Sequence, residues 1–347
     1  MTGDGRPTLS IIVATRNEEA HIERCLRSVL EGTLAPADYE ILVVDGQSTD
    51  GTRPIVEGLM REHPQIRWID NPKRITPVAF NLGLKAARGR HLCILSAHCF
   101  VDGDYFRTCL ETLDRTGADV VGGKEVAIPA GDSVQARLIM SILNSRFGIG
   151  AAYRTTSKEG PTDTVSPGVY RRSVFERVGL FDERLVRNQD NELNSRLHTA
   201  GMRIWMTPRT RHYYYSRATL KGLLRQNFRN GLYGVLTWRI NHSSVSPRHI
   251  VPALFVLGVV LGGPASLLVP FLRWPYLGGI ALYVLLDVLA SIAAGIRHKT
   301  PLALLLPVAF PALHITYGLG TLAGVFRFGW VKLAKTPPES LPPLPEE

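Results

Sequence analysis

Cysteine is scarce. Four occur in 347 residues, at Cys25, Cys93, Cys99 and Cys109. Their spacings fit no zinc pattern, and a reducing compartment accounts for them as core or loop thiols. The N-terminus lacks a signal peptide: Leu9–Ala14 is too short for an apolar h-region, and Arg16-Asn17-Glu18-Glu19 follows it at once. The first 249 residues are therefore expected to stay in the cytosol. The chain has no internal repeat and no nucleic-acid motif. Acid is in deficit, 30 Asp+Glu against 40 Lys+Arg, a net charge of +10. With no such motif, that balance points to anionic lipid or phosphates rather than nucleic acid.

Charge is also missing from most of the C-terminal region. Ile250–Leu272 has none, Trp274–Ile296 has only Asp287, and Thr300–Phe326 has only His314. Each window exceeds the roughly 20 residues that cross a bilayer core of about 30 Å. Buried helices of a large soluble domain are the competing reading, and three such windows in succession count against it. Three spans (250–272, 274–296 and 300–326) are the leading expectation, although they score poorly on the positive-inside rule. A re-entrant third window, broken at Pro307 and Pro311, or an interfacial helix over Arg327–Lys335, would repair the score. Asp287 and His314 lie near mid-window, where an ionisable group needs a partner, so an Asp287–His314 hydrogen bond is expected.

Residues 1–240 read as one domain, 241–335 as a membrane domain, and 336–347 as a disordered Pro- and Glu-rich tail. The first part alternates apolar strands with amphipathic helices. Strands are expected at Leu9–Ala14, Tyr39–Val44, Ile66–Ile69 and His91–Leu95. Helices fall between them, one capped by Asn17 and one by Asp50. This pattern gives an α/β fold with a mostly parallel, twisted sheet, whose ligands bind at the carboxyl ends of the strands. Asp45 and Ser96–His98 sit at two such ends. Further on, Val120–Ala127 reads as a strand, Ser133–Phe147 and Asn191–Ala200 as helices, Arg203–Met206 as a short strand, 148–168 as a long loop, and Leu220–Leu236 as a basic helix.

Each candidate has a structural reading as well. Asp45 starts an Asp-Gly turn. Asp190 can cap the helix it begins. His98 can be a loop histidine bonded to backbone. Lys221, Arg225, Arg229 and Arg239 can form a solvated basic face. His212–Ser216 is a packing strand or a wall of the acceptor path.

Taken together, "SIIVATRNEE", "ILVVDGQSTDGT" and "NQDNELNSRL" resemble the inverting family 2 glycosyltransferases of GT-A fold. "FGIGAAYRT", "TDTVSPGVYRRSVFERVGLFDE" and "LLRQNFRNG" are similar to the branch typified by succinoglycan-biosynthesis glucosyltransferases. The resemblance covers about residues 8–235 and specifies the family far better than the sugar.

It implies that Thr15, Asn17, Glu18, Asp45, Asn81 and Ser96 bind the nucleotide-sugar and that Asp190 is the catalytic base. Gln226 and Arg229 would hold diphosphate or acceptor, and His98 a divalent metal, Mn²⁺ or Mg²⁺. Three residues depart from the family pattern. Ser96 replaces the first acid of the metal motif, Gln189 replaces the Glu before the base, and Asn230 stands where Trp is usual. The loss of one carboxylate implies a weaker, Mn²⁺-leaning site.

The implied function is a hexosyltransferase of the cell (plasma) membrane. It would move a hexose such as glucose from a UDP-sugar to a lipid-linked or growing saccharide in exopolysaccharide synthesis. Its partners would be nucleotide-sugar, lipid-linked acceptor and membrane lipid, with no nucleic acid. A polyprenyl-phosphate sugar transferase and a catalytically weak binding partner are the alternatives.

Overall fold

The computed structural model describes residues 5–145, 147–148, 158–246, 249–298, 301–331 and 338–342. The chain forms two compact units. The first comprises 1–126, 156–214 and 335–347; the second comprises 127–155 and 215–334. The expected division at 240 differs from this, because the basic helix belongs with the apolar helices.

The first unit opens with four apolar strands, β1 (Leu9–Thr15), β2 (Tyr39–Asp45), β3 (Ile66–Asp70) and β4 (His91–Ser96). They are joined through helices α1 (Ile22–Leu30), α2 (Thr52–Glu62) and α3 (Thr76–Ala86). β1 pairs in parallel with β2 and β4, and β2 pairs in parallel with β3. β1 and β2 are buried almost throughout, as strands covered on both faces must be. Ile22, Cys25, Leu26 and Val29 recur at helical spacing on α1 and enter the core beside Ile11, Val13 and Val43.

The chain continues through β5 (Cys99–Val101), α4 (Tyr105–Thr116) and β6 (Val120–Ile128). After α5 (Val134–Leu143) come β7 (Gly160–Pro161), β8 (Val169–Arg171), α6 (Arg172–Val178), α7 (Gln189–Thr199) and β9 (Ile204–Tyr215). The sheet runs β3-β2-β1-β4-β8-β6-β9-β5, with β7 on β9. Its second half is antiparallel, as the β4–β8, β6–β8 and β5–β9 pairs show. All four cysteines are buried thiols outside any disulfide. Burial pushes the thiols of Cys25, Cys93 and Cys109 up, so they are packing groups.

Besides the division at 240, four expectations about the strands, loops and tail change. Asn17 does not cap α1, which starts at Ile22 without a side-chain cap. Asn17 instead takes a left-handed φ of 54° and bonds to the next loop. The strand expected at Arg203–Met206 extends to Tyr215 and carries His212–Ser216 nearly to its end. The expected loop 148–168 contains β7, while 149–157, and most of "FGIGAAYRT" with it, lies outside the described residues.

The fourth change concerns the tail. Residues 338–342 are packed onto the first unit, whereas 343–347 lie outside the described residues. The Leu180 amide donates to the Glu339 carbonyl at 2.7 Å, the Leu341 amide to the Phe175 carbonyl at 3.2 Å, and Lys85 pairs with the Glu339 carboxylate. Leu341 is buried. Two backbone bonds and one apolar anchor are enough to hold so short a segment.

The second unit contains α5, α8 (Leu220–Ile240), α9 (Val251–Leu268), α10 (Pro270–His298) and α11 (Leu306–Phe328). α9, α10 and α11 are long and apolar enough to cross a membrane. Leu138, Ile142, Leu223, Phe310 and Leu313 form its core. The expected Asp287–His314 bond is not made. His314 Nδ1 meets the Tyr283 hydroxyl at 2.9 Å, and its Nε2 meets the Phe147 carbonyl at 2.9 Å. Tyr283, one turn before Asp287 on α10, has the longer reach and satisfies the ring first.

Candidate active site

The register of the parallel strands sets the site. Thr15 lies opposite Asp45, and Ala14 lies opposite Ser96. Three adjacent carboxyl ends therefore carry these residues, Thr15 and Asp45 level with each other and Ser96 one residue back, beside Ala14, with neighbouring strands about 4.8 Å apart.

Asp45 is buried. Its Oδ2 accepts from the Ser48 amide at 2.8 Å, and its Oδ1 from the Ser48 hydroxyl. It thus shapes the 46–51 turn as the turn reading requires, and this does not exhaust the lone pairs of a carboxylate. The Thr15 hydroxyl is buried with no partner among the described residues. An orphaned hydroxyl beside a carboxylate is a polar pair that a ligand can satisfy.

Two loops close over these ends and are bonded to each other. The Asn17 amide donates to Ser48 Oγ at 2.8 Å, and Asn17 Oδ1 accepts from the Thr49 amide at 2.8 Å. The Glu18 amide donates to Thr52 Oγ1 at 2.8 Å, and Glu19 Oε2 accepts from the Gly51 amide at 2.7 Å. Asn17 and Glu19 are clasps between loops.

Glu18 has a different role. Its Oε1 meets His98 Nδ1 at 3.1 Å, and His98 Nε2 faces Ser96 Oγ at 3.4 Å. Tyr214 packs edge-on against the imidazole at 5.4 Å. The carboxylate fixes the ring with Nδ1 as donor, leaving Nε2 beside the Ser96 hydroxyl. Glu18 and His98 are 80 residues apart, so no sequence pattern shows this pair.

Asn81 is buried and committed to protein. Its Nδ2 donates to the Phe181 carbonyl at 2.9 Å and to Glu183 at 3.2 Å, and its Oδ1 accepts from the Phe181 amide at 2.9 Å. It pins the 181–183 loop.

Asp190 lies in the first turn of α7 and is exposed. Its Oδ1 accepts from the Asn191 amide at 2.9 Å, and helix N-terminal charge favours the carboxylate there. Burial, first of all, pushes the Tyr170 phenol on β8 up. α7 is fixed by Arg196, whose guanidinium grips the buried Glu192 at 2.9 Å. It also donates to the carbonyls of Val178, Gly179 and Leu180. Asn188 starts the helix with a φ of 58° and no side-chain cap.

Gln226 and Arg229 belong to the second unit. Gln226 accepts from Arg217 at 2.8 Å, and Arg229 is exposed. Sequence reasoning missed a cavity of about 530 Å³ in that unit. It is lined by Gln135, Leu220, Lys221, Leu224, Arg225, Phe228 and Thr316. The i, i+4 spacing of Lys221 and Arg225 was the available signal.

Residues 10–179 match Glycosyl transferase family 2. The succinoglycan biosynthesis protein ExoA of Rhizobium meliloti is 30% identical over 314 residues, 89% of this chain and 92% of that protein. A Methanococcus voltae dolichyl N-acetyl-alpha-D-glucosaminyl phosphate 3-beta-D-2,3-diacetamido-2,3-dideoxy-beta-D-glucuronosyltransferase is 26% identical, covering 92% of this chain and 97% of its own. Among solved structures, the mannosyltransferase PcManGT of Pyrobaculum calidifontis, in complex with GDP-Man and Mn²⁺, superposes with a TM-score of 0.58 at 20% identity. The match covers 93% of this chain and 88% of that one. With a GT-A sheet and a relative this similar along nearly its whole length, the chain belongs to glycosyltransferase family 2 and is a glycosyltransferase.

Proposed function

We propose that this enzyme transfers a hexose, glucose from UDP-glucose first, to a lipid-linked saccharide at the cytosolic face of the plasma membrane, with inversion. The carrying observation is the register that sets Thr15 level with Asp45 at adjacent strand ends, with Ser96 ending the next strand and His98 two residues on. The relatives named for succinoglycan synthesis and for a dolichyl-linked sugar support a lipid-linked glycan as acceptor. The apolar helices support the membrane location.

In this reading Asp45 and Thr15 receive the nucleoside. Asp190 accepts the proton of the acceptor hydroxyl as its oxygen bonds to the anomeric carbon. The bond from that carbon to the diphosphate breaks, and its electron pair leaves with the nucleotide. The structured neighbour that carries Mn²⁺ supports a divalent ion here. Among the described residues no group of three His, Cys, Asp or Glu side chains could hold a metal unaided. The donors present, one imidazole and one hydroxyl, fit an ion that tolerates nitrogen and shares its shell with the substrate. His98 would hold it through Nε2, with Glu18 orienting the ring. When bound, such an ion supplies positive charge to the departing diphosphate.

Glu18→Gln is therefore expected to weaken Mn²⁺ binding by about 10–100-fold, the usual cost of removing an orienting carboxylate. Electron paramagnetic resonance of Mn²⁺ titrated into protein with UDP reads this directly. Unchanged Mn²⁺ affinity with weakened UDP binding would return Glu18 to the nucleotide.

The 530 Å³ cavity suits the acceptor, since Lys221 and Arg225 can hold phosphate while Leu220, Leu224 and Phe228 hold lipid. Lys221→Ala with Arg225→Ala should raise KM for the lipid acceptor by about 10²–10⁴-fold and leave KM for the donor unchanged, given about 1.5–3 kcal/mol for each of the two charged hydrogen bonds lost. Equal acceptor KM in nanodiscs would exclude them. The same cavity favours a second reading, polyprenyl phosphate itself as acceptor. An acid-labile sugar phosphate, rather than an alkali-stable glycosidic bond, would identify it.

A further inference from the structure

We infer that the chain crosses the bilayer twice, by α9 and α10, and that α11 lies in the membrane interface against α8.

The first observation is the tail. Residues 338–342 are bonded to Phe175 and Leu180 and to Lys85, within the unit that carries β1–β4. The C-terminal end is thus on the same side of the membrane as the catalytic domain. From Val331 to Pro338 the chain can span at most about 25 Å fully extended. That is less than a bilayer core of about 30 Å, and unpaired backbone is not tolerated there. The number of crossings is therefore even, and one of the three apolar helices does not cross.

The second observation identifies α11 as that helix. α8 and α11 run parallel along their lengths. Asn227 Nδ2 donates to the Leu313 carbonyl at 2.6 Å, and Arg239 donates to the Gly329 carbonyl at 2.6 Å. Between these points, glycines bring the backbones together. A Cβ at Gly231 would sit 2.3 Å from the Tyr317 carbonyl oxygen, and one at Gly320 would sit 2.1 Å from that of Phe228. Hence α8 goes wherever α11 goes. α8 carries Lys221, Arg225, Arg229 and Arg239, spread over about 27 Å of helix at 1.5 Å per residue. If α11 crossed the core, α8 would take Arg225 and Arg229 to its middle, where charge is expensive and needs a partner. Neither has a hydrogen-bonding or ionic partner within the described protein.

α9 and α10 carry no such passenger. Leu261, Leu267, Phe271 and Trp274 are exposed along them, as lipid-facing residues should be. α11 is also less apolar, with mean hydropathy 1.7 against 2.1 for each of the other two. Two crossings also repair the charge rule. The far-side turn carries Arg273 alone, while Arg297 and Arg327 fall on the side of the catalytic domain. The surface of α8 and α11 then faces headgroups, as interfacial helices with cationic flanks do.

Membrane-impermeant maleimide tests this on the full chain in sealed inner-membrane vesicles and in spheroplasts. The wild-type chain gives the background, since its four cysteines are buried. Glu57→Cys reports the catalytic domain, Ser340→Cys the tail, and Phe271→Cys the far-side turn, with Leu268→Cys as a second probe of that turn. The expected result is that positions 57 and 340 label from one side and 271 and 268 from the other. Labelling of 340 from the side opposite to 57 would overturn the inference, and so would labelling of all positions from one side.

Discussion

Asp190→Asn should lower kcat by about 10²–10⁴, the range for loss of a general base, with donor KM and Tm nearly unchanged. Magnitudes separate this from the capping reading. Asp190 sits in the first turn of α7, where its charge is worth about 0.3–1 kcal/mol. If that were its whole role, the variant would lose a few degrees of Tm and keep its turnover. Asn retains the acceptor oxygen that meets the Asn191 amide, so the loop should stand. Single-turnover rates and a thermal melt on one preparation decide the matter. A wild-type protein that binds UDP-sugar without turnover would instead indicate a binding partner of another transferase.

Arg196→Ala should destabilise the catalytic unit by about 3–5 kcal/mol, the cost of stranding one member of a buried ion pair. Glu192 is only 2% exposed and would keep its charge without its partner. The carbonyls of Gly179 and Leu180, at 3.0 and 2.8 Å, would lose their donors as well. For a unit of this size that corresponds to a fall in Tm of about 6–20 °C. Arg196→Met with Glu192→Leu should recover most of it, because the double change leaves no charge behind. A single-variant shift below 2 °C would show the pair to be dispensable. Since Arg196 positions the helix that bears Asp190, partial unfolding should abolish activity before the sheet melts.

The parallel half of the sheet was legible because buried strands are apolar runs. Leu9–Ala14, Tyr39–Val44 and His91–Leu95 each match the observed strand to within one residue at its carboxyl end. That was enough to place Asp45 and Ser96 at strand ends. Short strands such as Cys99–Val101 left no periodicity to read. Asn17 looked like a helix cap because asparagine favours that position; the loop used its tolerance of positive φ instead. The Glu18–His98 pair and the Asn81 clasp depend on contacts 80 and 100 residues apart. Composition alone marked three helices as spans. Which of them crosses depends on what packs beside it, and the cations of α8 lie more than 65 residues upstream of α11.

The Ser96 substitution has a clearer meaning in this geometry. In the metal site proposed above, Ser96 would withhold a carboxylate from the ion, while Glu18 holds the His98 imidazole from behind. Such a site would keep a nitrogen donor of fixed orientation with one negative charge fewer, so a weakly held, imidazole-tolerant ion such as Mn²⁺ is the expected consequence.

The most direct measurement is transfer itself. Membranes containing the full chain are incubated with radiolabelled UDP-glucose, or with other nucleotide-sugars in a panel, with and without Mn²⁺. The account predicts label in the lipid extract on an alkali-stable glycosidic bond, stimulated by Mn²⁺ and absent with Asp190→Asn. Label that stays in nucleotide or free sugar across the whole panel, or lipid product that persists undiminished in Asp190→Asn, would contradict it.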